Sequence, residues 1–232
     1  MQSELSRRGF LAGVAATTGS AALSQAAADD AVAAKPLKIV GIACSPRSGK
    51  TTATTVRVCL DAAEQFAPEK IRTEMIELAG LSIPGQLAAG EPLKPGEQDD
   101  FPGLVPKLSA PEVAGIVIGT PVYFANMSSL CKAFLDRCIV FRKNDFALAD
   151  KVAGVAAVGG CRNGGQELTI RSVQSALMSQ QMIIVGDAPP TAHFGATVCS
   201  GGLEDVTEDE FGMATARNLG KRVAEMALRL HG

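Results

Sequence analysis

The chain has 232 residues, 22 Lys and Arg against 24 Asp and Glu, and a formal net charge of -2. That balance excludes a nucleic-acid binder working through a basic field, because neutralising a phosphate backbone needs clustered cations in excess. With 47% hydrophobic and 20% charged residues, the sequence is also too apolar for disorder, and its length suits one domain of the larger kind.

In chain order, the first feature is a gap in the charges: after Arg8 none occurs until Asp29. Ser6-Arg7-Arg8-Gly9-Phe10-Leu11 opens the gap with paired arginines, and Ala26-Ala27-Ala28 closes it with small residues suited to a signal peptidase. The segment resembles a twin-arginine export signal, which implies a folded protein delivered to the periplasm or otherwise exported. A retained membrane anchor is the alternative, weakened because the run is mostly Ala rather than Leu, Ile and Val. The expected organisation is a signal peptide over 1–28, a linker over 29–36 and one domain over 37–232, with no stable membrane span once the signal is cleaved.

From residue 37 onward, strands alternate with helices. Leu37 to Cys44 is a short apolar run rich in β-branched residues, as in a strand buried on both faces. It enters the turn Ser45-Pro46-Arg47-Ser48-Gly49, then a helix from Thr51 to about Phe66, ending near Pro68. Ile71 to Leu78 reads as a second strand. Residues 80 to 111 hold eleven Gly and Pro positions and read as a long connection with at most one short helix. Val113 to Gly119 is a third strand and Ser128 to about Phe141 a helix. Val152 to Val158 is a fourth strand, Gln166 to about Gln180 a helix, and Met182 to Gly186 a fifth strand. Residues 187 to 206 read as irregular, and a helix from about Glu208 to Leu230 closes the chain. This order predicts an α/β doubly wound parallel sheet in a three-layer sandwich. Ligands of such sheets bind beyond the carboxyl ends of the strands, which directs attention to the loops after strands one, three and four.

The first loop, Cys44 to Thr52, places hydroxyls, an arginine and a glycine between a buried strand and a helix start. Backbone N–H groups and the positive end of the helix dipole make such a loop suitable for a phosphate. Gly49-Lys50-Thr51 matches the tail of a Walker loop, but Cys44 stands where that loop needs its first glycine. An ordinary capped turn is the plainest alternative. After strand three, Tyr123-Phe124 and Asn126 offer an aromatic pair and an amide where the sheet opens, a setting for a flat ring system. After strand four, Gly159, Gly160, Gly164 and Gly165 allow close backbone approach to a planar ligand.

These motifs, with Gly119-Thr120-Pro121-Val122-Tyr123-Phe124, Lys132-Ala133-Phe134-Leu135-Asp136-Arg137 and Gly164-Gly165-Gln166-Glu167, resemble the flavodoxin-like NAD(P)H-dependent FMN reductase family, nearest its multimeric flavodoxin and iron–sulfur flavoprotein branches. The resemblance covers roughly residues 37 to 186. It implies a flavodoxin-like fold with strand order 2-1-3-4-5 and FMN as cofactor. It further implies that Ser45, Arg47, Ser48, Gly49, Thr51 and Thr52 hold the FMN phosphate. Pro121, Val122, Tyr123, Phe124 and Asn126 would line the isoalloxazine and ribityl chain, and Gly159, Gly160 and Gly165 the other side of the ring. The expected activity is an FMN-dependent oxidoreductase, NAD(P)H- or quinone-reductase-like, with small-molecule or protein electron donors and acceptors and a homo-oligomeric assembly. An exported flavodoxin-like electron carrier without its own substrate turnover is the alternative.

Two departures from the family pattern stand out. Lys50 occupies a position usually held by Asn, and Leu81 to Gly90 contains none of the cysteines that the iron–sulfur branch carries after its second strand. No metal site and no acid–base constellation is expected; His193 and His231 lie far apart in sequence, and His193 is the better placed to reach the site. The six cysteines allow a disulfide framework in an exported protein. Their positions favour core roles for Cys44, Cys59, Cys131 and Cys138, with Cys131 and Cys138 two helical turns, about 10 Å, apart. Cys161 is expected beside the ring, and Cys161–Cys199 is the one pairing to test.

Overall fold

The computed structural model describes residues 35–232; the expected signal peptide and most of the linker lie outside the described residues. Twelve elements follow one another: β1 (Leu37–Ala43), α1 (Thr51–Phe66), β2 (Ile71–Glu77), α2 (Val105–Ser109), β3 (Val113–Pro121), α3 (Ser129–Arg137), α4 (Ile139–Lys143), β4 (Val152–Gly159), α5 (Gln166–Met178), β5 (Ile183–Ile184), β6 (Ala196–Cys199) and α6 (Glu210–His231). The sheet is parallel throughout, in the expected order β2-β1-β3-β4-β5. Among the described residues, no helix is long and apolar enough to cross a membrane.

The central strands β3 and β4 are buried at every position, which explains their unbroken apolar runs. Their alternate side chains serve two cores. Val40, Ile42, Ile116, Ile118 and Val155 pack with Phe134, Phe141, Ile170 and Leu177 of α3, α4 and α5. Ile39, Val117, Val152 and Ala156 pack on the other face under Val56 and Leu60 of α1 and Leu219 and Val223 of α6.

The sheet edge corrects the sequence expectation. The fifth strand shrinks to Ile183–Ile184, and the stretch 187–206 contains a sixth strand. β5 pairs with Val152 and Ala153 of β4, whereas β6 pairs with Ala156 to Gly159 of the same strand. One edge position is thus filled by two short pieces, and 185–195 loops out between them. Four residues are too few to show a period, and β6 stands between Gly195 and Ser200-Gly201-Gly202, where composition signals turns. The helix expected over 128–141 divides at Cys138 into α3 and α4.

The connection from β2 to β3 forms two 3-10 turns, Gly85–Ala89 and Phe101–Gly103, before the short α2. Polar contacts fix it. Arg137 donates to both carboxylate oxygens of Asp99 at 2.8 Å and stacks 4.8 Å above the Phe101 ring. The Asp100 carboxylate accepts the Ser82 N–H at 2.8 Å. Hydrogen bonds from Arg137 hold the Asp99 carboxyl below its ordinary range. Asp99→Asn should therefore cost about 3 kcal/mol in chemical denaturation at pH 7, because it leaves a largely buried guanidinium without its counter-charge. A depressed carboxylate adds stability above its unfolded pKa and loses it as pH falls through the folded value. The gap between wild type and variant should then narrow below about pH 4; a gap independent of pH would show that the charge is not what matters.

Candidate functional site

Three loops converge beyond the carboxyl ends of β1, β3 and β4. In the first, Ser45 is buried and its Oγ accepts the Arg47 N–H at 3.1 Å, which sets the turn before α1. Lys50 caps α1 with no side-chain hydrogen bond, so the first-turn N–H groups beside the buried Thr51 and Thr52 have no side-chain acceptor. An uncapped start of a 16-residue helix, with Arg47 next to it, fits a phosphate.

In the second loop, the Val122 N–H bonds to the Val158 carbonyl at 2.8 Å, tying it to β4. Tyr123 and Asn126 then exchange backbone hydrogen bonds of 2.8 and 3.1 Å around Phe124 and Ala125, whose φ values are 51° and 58°. This turn is usually made by Asn and Gly, so holding Phe and Ala in it stores backbone strain. Phe124 is fully exposed at the tip. The Asn126 Oδ1 accepts the Met127 N–H at 2.8 Å. Ser128 joins the first two loops: its Oγ donates to the Cys44 carbonyl at 2.6 Å and accepts the Cys131 N–H at 3.0 Å.

In the third loop, the buried Gln166 donates to the Cys161 carbonyl at 2.6 Å and accepts the Gly164 N–H at 3.0 Å, shaping the glycine run. Gly165 has φ 99°, and a Cβ there would lie 2.8 Å from Ala125 Cα and Cβ. Only glycine lets the second and third loops meet at this point.

Between the loops lies a cleft of about 210 Å³ that brings together Arg47, Thr51, Pro121, Val122, Tyr123, Gly159 and Gly160. Ser45 and Thr52 are buried and do not line it. Other expected site residues point elsewhere. Ser48 Oγ and the Gly49 N–H both donate to Glu77 Oε2, at 3.1 and 2.8 Å. Phe124 stands at the turn tip, Asn126 serves its own loop, and Gly165 packs against the turn. The sequence reading missed a fourth wall, the strap after β6, where Ser200, Gly202, Leu203 and Glu204 line the cleft. Glu204 pairs with Arg47 at 3.4 Å and with Lys50. A Ser-Gly-Gly run directly after a strand was the available signal, hidden because the strand itself was not legible.

His193 lines a different cavity, of about 480 Å³, together with Arg162, Gln166 and Phe211. The buried Asp187 carboxylate accepts its backbone N–H at 2.6 Å and lies 3.4 Å from Nδ1. His231 contacts the Asp150 carbonyl at 3.1 Å, outside both cavities.

Cys44, Cys131 and Cys138 sit in one apolar core and Cys59 in the other. Burial pushes the Cys59 thiol up to about 12 and raises Cys44 and Cys138 as well, which makes them inert. Cys161 is exposed, Cys199 is half-buried, and both are free; the Cys199 thiol lies 3.7 Å from the Gly160 carbonyl.

A parallel sheet of order 2-1-3-4-5, opening at its central strands onto an uncapped helix start and a glycine-lined cleft, defines a flavodoxin-like mononucleotide-binding protein. Residues 37–196 match the NADPH-dependent FMN reductase family, and the chain belongs to that family. It is 39% identical over 193 residues to an iron–sulfur flavoprotein of Methanocaldococcus jannaschii, across 82% of this chain and 97% of that protein. It is 28% identical to an NAD(P)H dehydrogenase (quinone) of Geobacter sulfurreducens, across 71% of this chain and 81% of the relative. The crystal structure of a WrbA-like flavodoxin from Agrobacterium tumefaciens shares the fold with a TM-score of 0.59 at 17% identity, covering 84% of this chain and 99% of that one. The protein is therefore an FMN-dependent oxidoreductase with FMN as its cofactor.

An iron–sulfur cluster does not fit these residues. Four of the six cysteines are buried in the apolar cores, and residues 81–90 supply none. Among the described residues, no group of three or more His, Cys, Asp or Glu side chains gathers as a metal site.

Proposed function

We propose that the protein is an exported FMN-dependent reductase of the NAD(P)H- or quinone-reductase kind, acting on a small planar molecule. The observation that carries this reading is the rim of the cleft. Tyr123 and Leu203 are exposed there, while Glu204 offsets one of the two charges of Arg47 and Lys50. An aromatic, nearly neutral rim suits a second flat molecule, whereas an electron carrier docks through a charged face. Bound FMN supplies hydride and single-electron transfer, so the chain needs no acid–base group of its own for the redox step. Arg47, Thr51 and the first-turn N–H groups of α1 hold the phosphate. Pro121, Val122 and Tyr123 on one side and Gly159 and Gly160 on the other flank the ring.

Export by the twin-arginine route belongs to the same reading, since that route carries proteins that have already folded around a cofactor. The donor outside the cytoplasm is then a quinol rather than free NAD(P)H. The test is anaerobic mixing of the yellow holoprotein with NADH, NADPH and a quinol while the flavin absorbance is followed. Bleaching by any of the three supports the reductase; bleaching only by a partner protein favours the carrier. The holoprotein should release one FMN per chain on denaturation, and a colourless protein that cannot be reconstituted with FMN would sink the reading.

A further inference from the structure

We infer that Glu204 is an internal competitor of the FMN phosphate: its carboxylate occupies the two cations of the phosphate loop and has to leave them before the phosphate seats. This rests on the FMN reading above and adds a residue that sets cofactor affinity.

The loop has few charges to offer. Glu77 already accepts from Ser48 Oγ and the Gly49 N–H, which leaves Arg47 and Lys50 as its free cations. Both are taken by Glu204, Arg47 through Nη1 to Oε1 at 3.4 Å and Lys50 through Nζ to Oε2. A carboxylate is the side-chain group that most resembles a phosphate oxygen pair, so the two anions contest one position. Lys50, where the family usually has Asn, is spent on this contact. The Lys50 and Arg47 charges hold the Glu204 carboxyl below its ordinary range, Lys50 most strongly.

The strap is built to move. One end is tied to β4, where the Ser200 N–H bonds to the Gly159 carbonyl at 2.9 Å; at the other, the Asp205 carboxylate closes a local turn by accepting the N–H groups of Val206 and Thr207 at 2.7 and 3.0 Å. Val206 is buried. Between the anchors, Gly201 and Gly202 have φ 60° and 83°, and nothing lies within 4 Å of where their Cβ atoms would be. The ion pairs that hold the strap down are exposed, with Glu204 at 65%, Arg47 at 52% and Lys50 at 43%, and pairs of that kind are weak.

The test is Glu204→Gln in the full chain, comparing FMN and riboflavin binding to deflavinated protein by flavin fluorescence. The variant should bind FMN about fivefold more tightly or better, through faster association, because two surface pairs no longer compete. Riboflavin, which lacks the phosphate, should change less than about twofold. Unchanged or weaker FMN binding by the variant overturns the competition and makes the strap a clamp. An equal gain for riboflavin also overturns it, since the carboxylate would then act on the cleft and not on the phosphate. A wild type that holds no FMN instead overturns the functional reading beneath it, so the two failures are distinct.

Discussion

Replacing Ser45 and Arg47 together by alanine is expected to weaken FMN binding by about a hundredfold or more, the lost Arg47 contact costing roughly 1.5–3 kcal/mol where a charged phosphate is the acceptor and the loosened turn adding to it. The two side chains act differently. Arg47 lines the cleft directly. Ser45 Oγ holds the Arg47 backbone N–H at 3.1 Å, so its loss frees the turn that aims the first-turn N–H groups of α1. The fold should barely notice, since the only ion pair removed is exposed and such pairs are worth about 1 kcal/mol at most. His193→Ala is the comparison, because His193 lines a separate cavity with Arg162 and Phe211. Its FMN affinity should stay within about threefold of wild type, less than 1 kcal/mol. Fluorescence titration of the deflavinated proteins reads both values, and similar losses in the two variants would refute the phosphate assignment.

Much of this site was legible because its three sequence loops each follow a strong local signal. Leu37 to Cys44, Val113 to Gly119 and Val152 to Val158 are buried apolar runs, and a run that stops at Ser45, Pro121 or Gly159 marks where the sheet opens. What escaped the sequence is long-range. Glu77 closes on Ser48 and Gly49 from the end of β2, and Glu204 closes on Arg47 from 157 positions away. Neither carboxylate has a local pattern, because charged residues at strand ends and in loops are the commonest surface composition. The edge strand was lost for a related reason. Ala196 to Cys199 pairs with only the last half of β4, so its stability comes from that one neighbour and from Met213 and Val206 packed over Val198, not from its own propensity.

The connection after β2 shows the reverse case, in which a recognised motif served a different end. Lys132 to Arg137 belongs to the family resemblance, yet Arg137 binds Asp99 and covers Phe101 rather than entering the cleft. Lys132 pairs with Asp136 on the surface of α3, at 2.6 Å. The arginine holds the long connection in this chain, in a segment where the iron–sulfur branch of the family carries its cysteines.

Gly220→Ala should lower the melting temperature by about 6–12 °C, corresponding to roughly 3 kcal/mol for a domain of this size. The sign is the informative part. Alanine inside a helix normally gains about 1 kcal/mol over glycine, and α6 runs from Glu210 to His231 with Gly220 in its interior. Here, however, a Cβ would fall 1.9 Å from the carbonyl oxygen of Cys59 and 2.7 Å from its carbon. Both are backbone atoms of α1, so no rotamer relieves the clash and one helix has to move. If α6 lifts, Leu219 and Val223 leave their contacts over Gly154 and Gly115, glycines that let the helix lie close to the sheet. If α1 moves instead, it carries Thr51 and Thr52, and with them the first turn that receives the phosphate. Thermal melts with and without FMN separate these outcomes: a lifted α6 lowers both melts equally, whereas a displaced α1 also reduces the gain from FMN. Arg217→Ala, on the exposed face of the same helix, should melt within a degree or two of wild type. A Gly220→Ala protein as stable as that control would show that α1 and α6 do not approach through backbone contact.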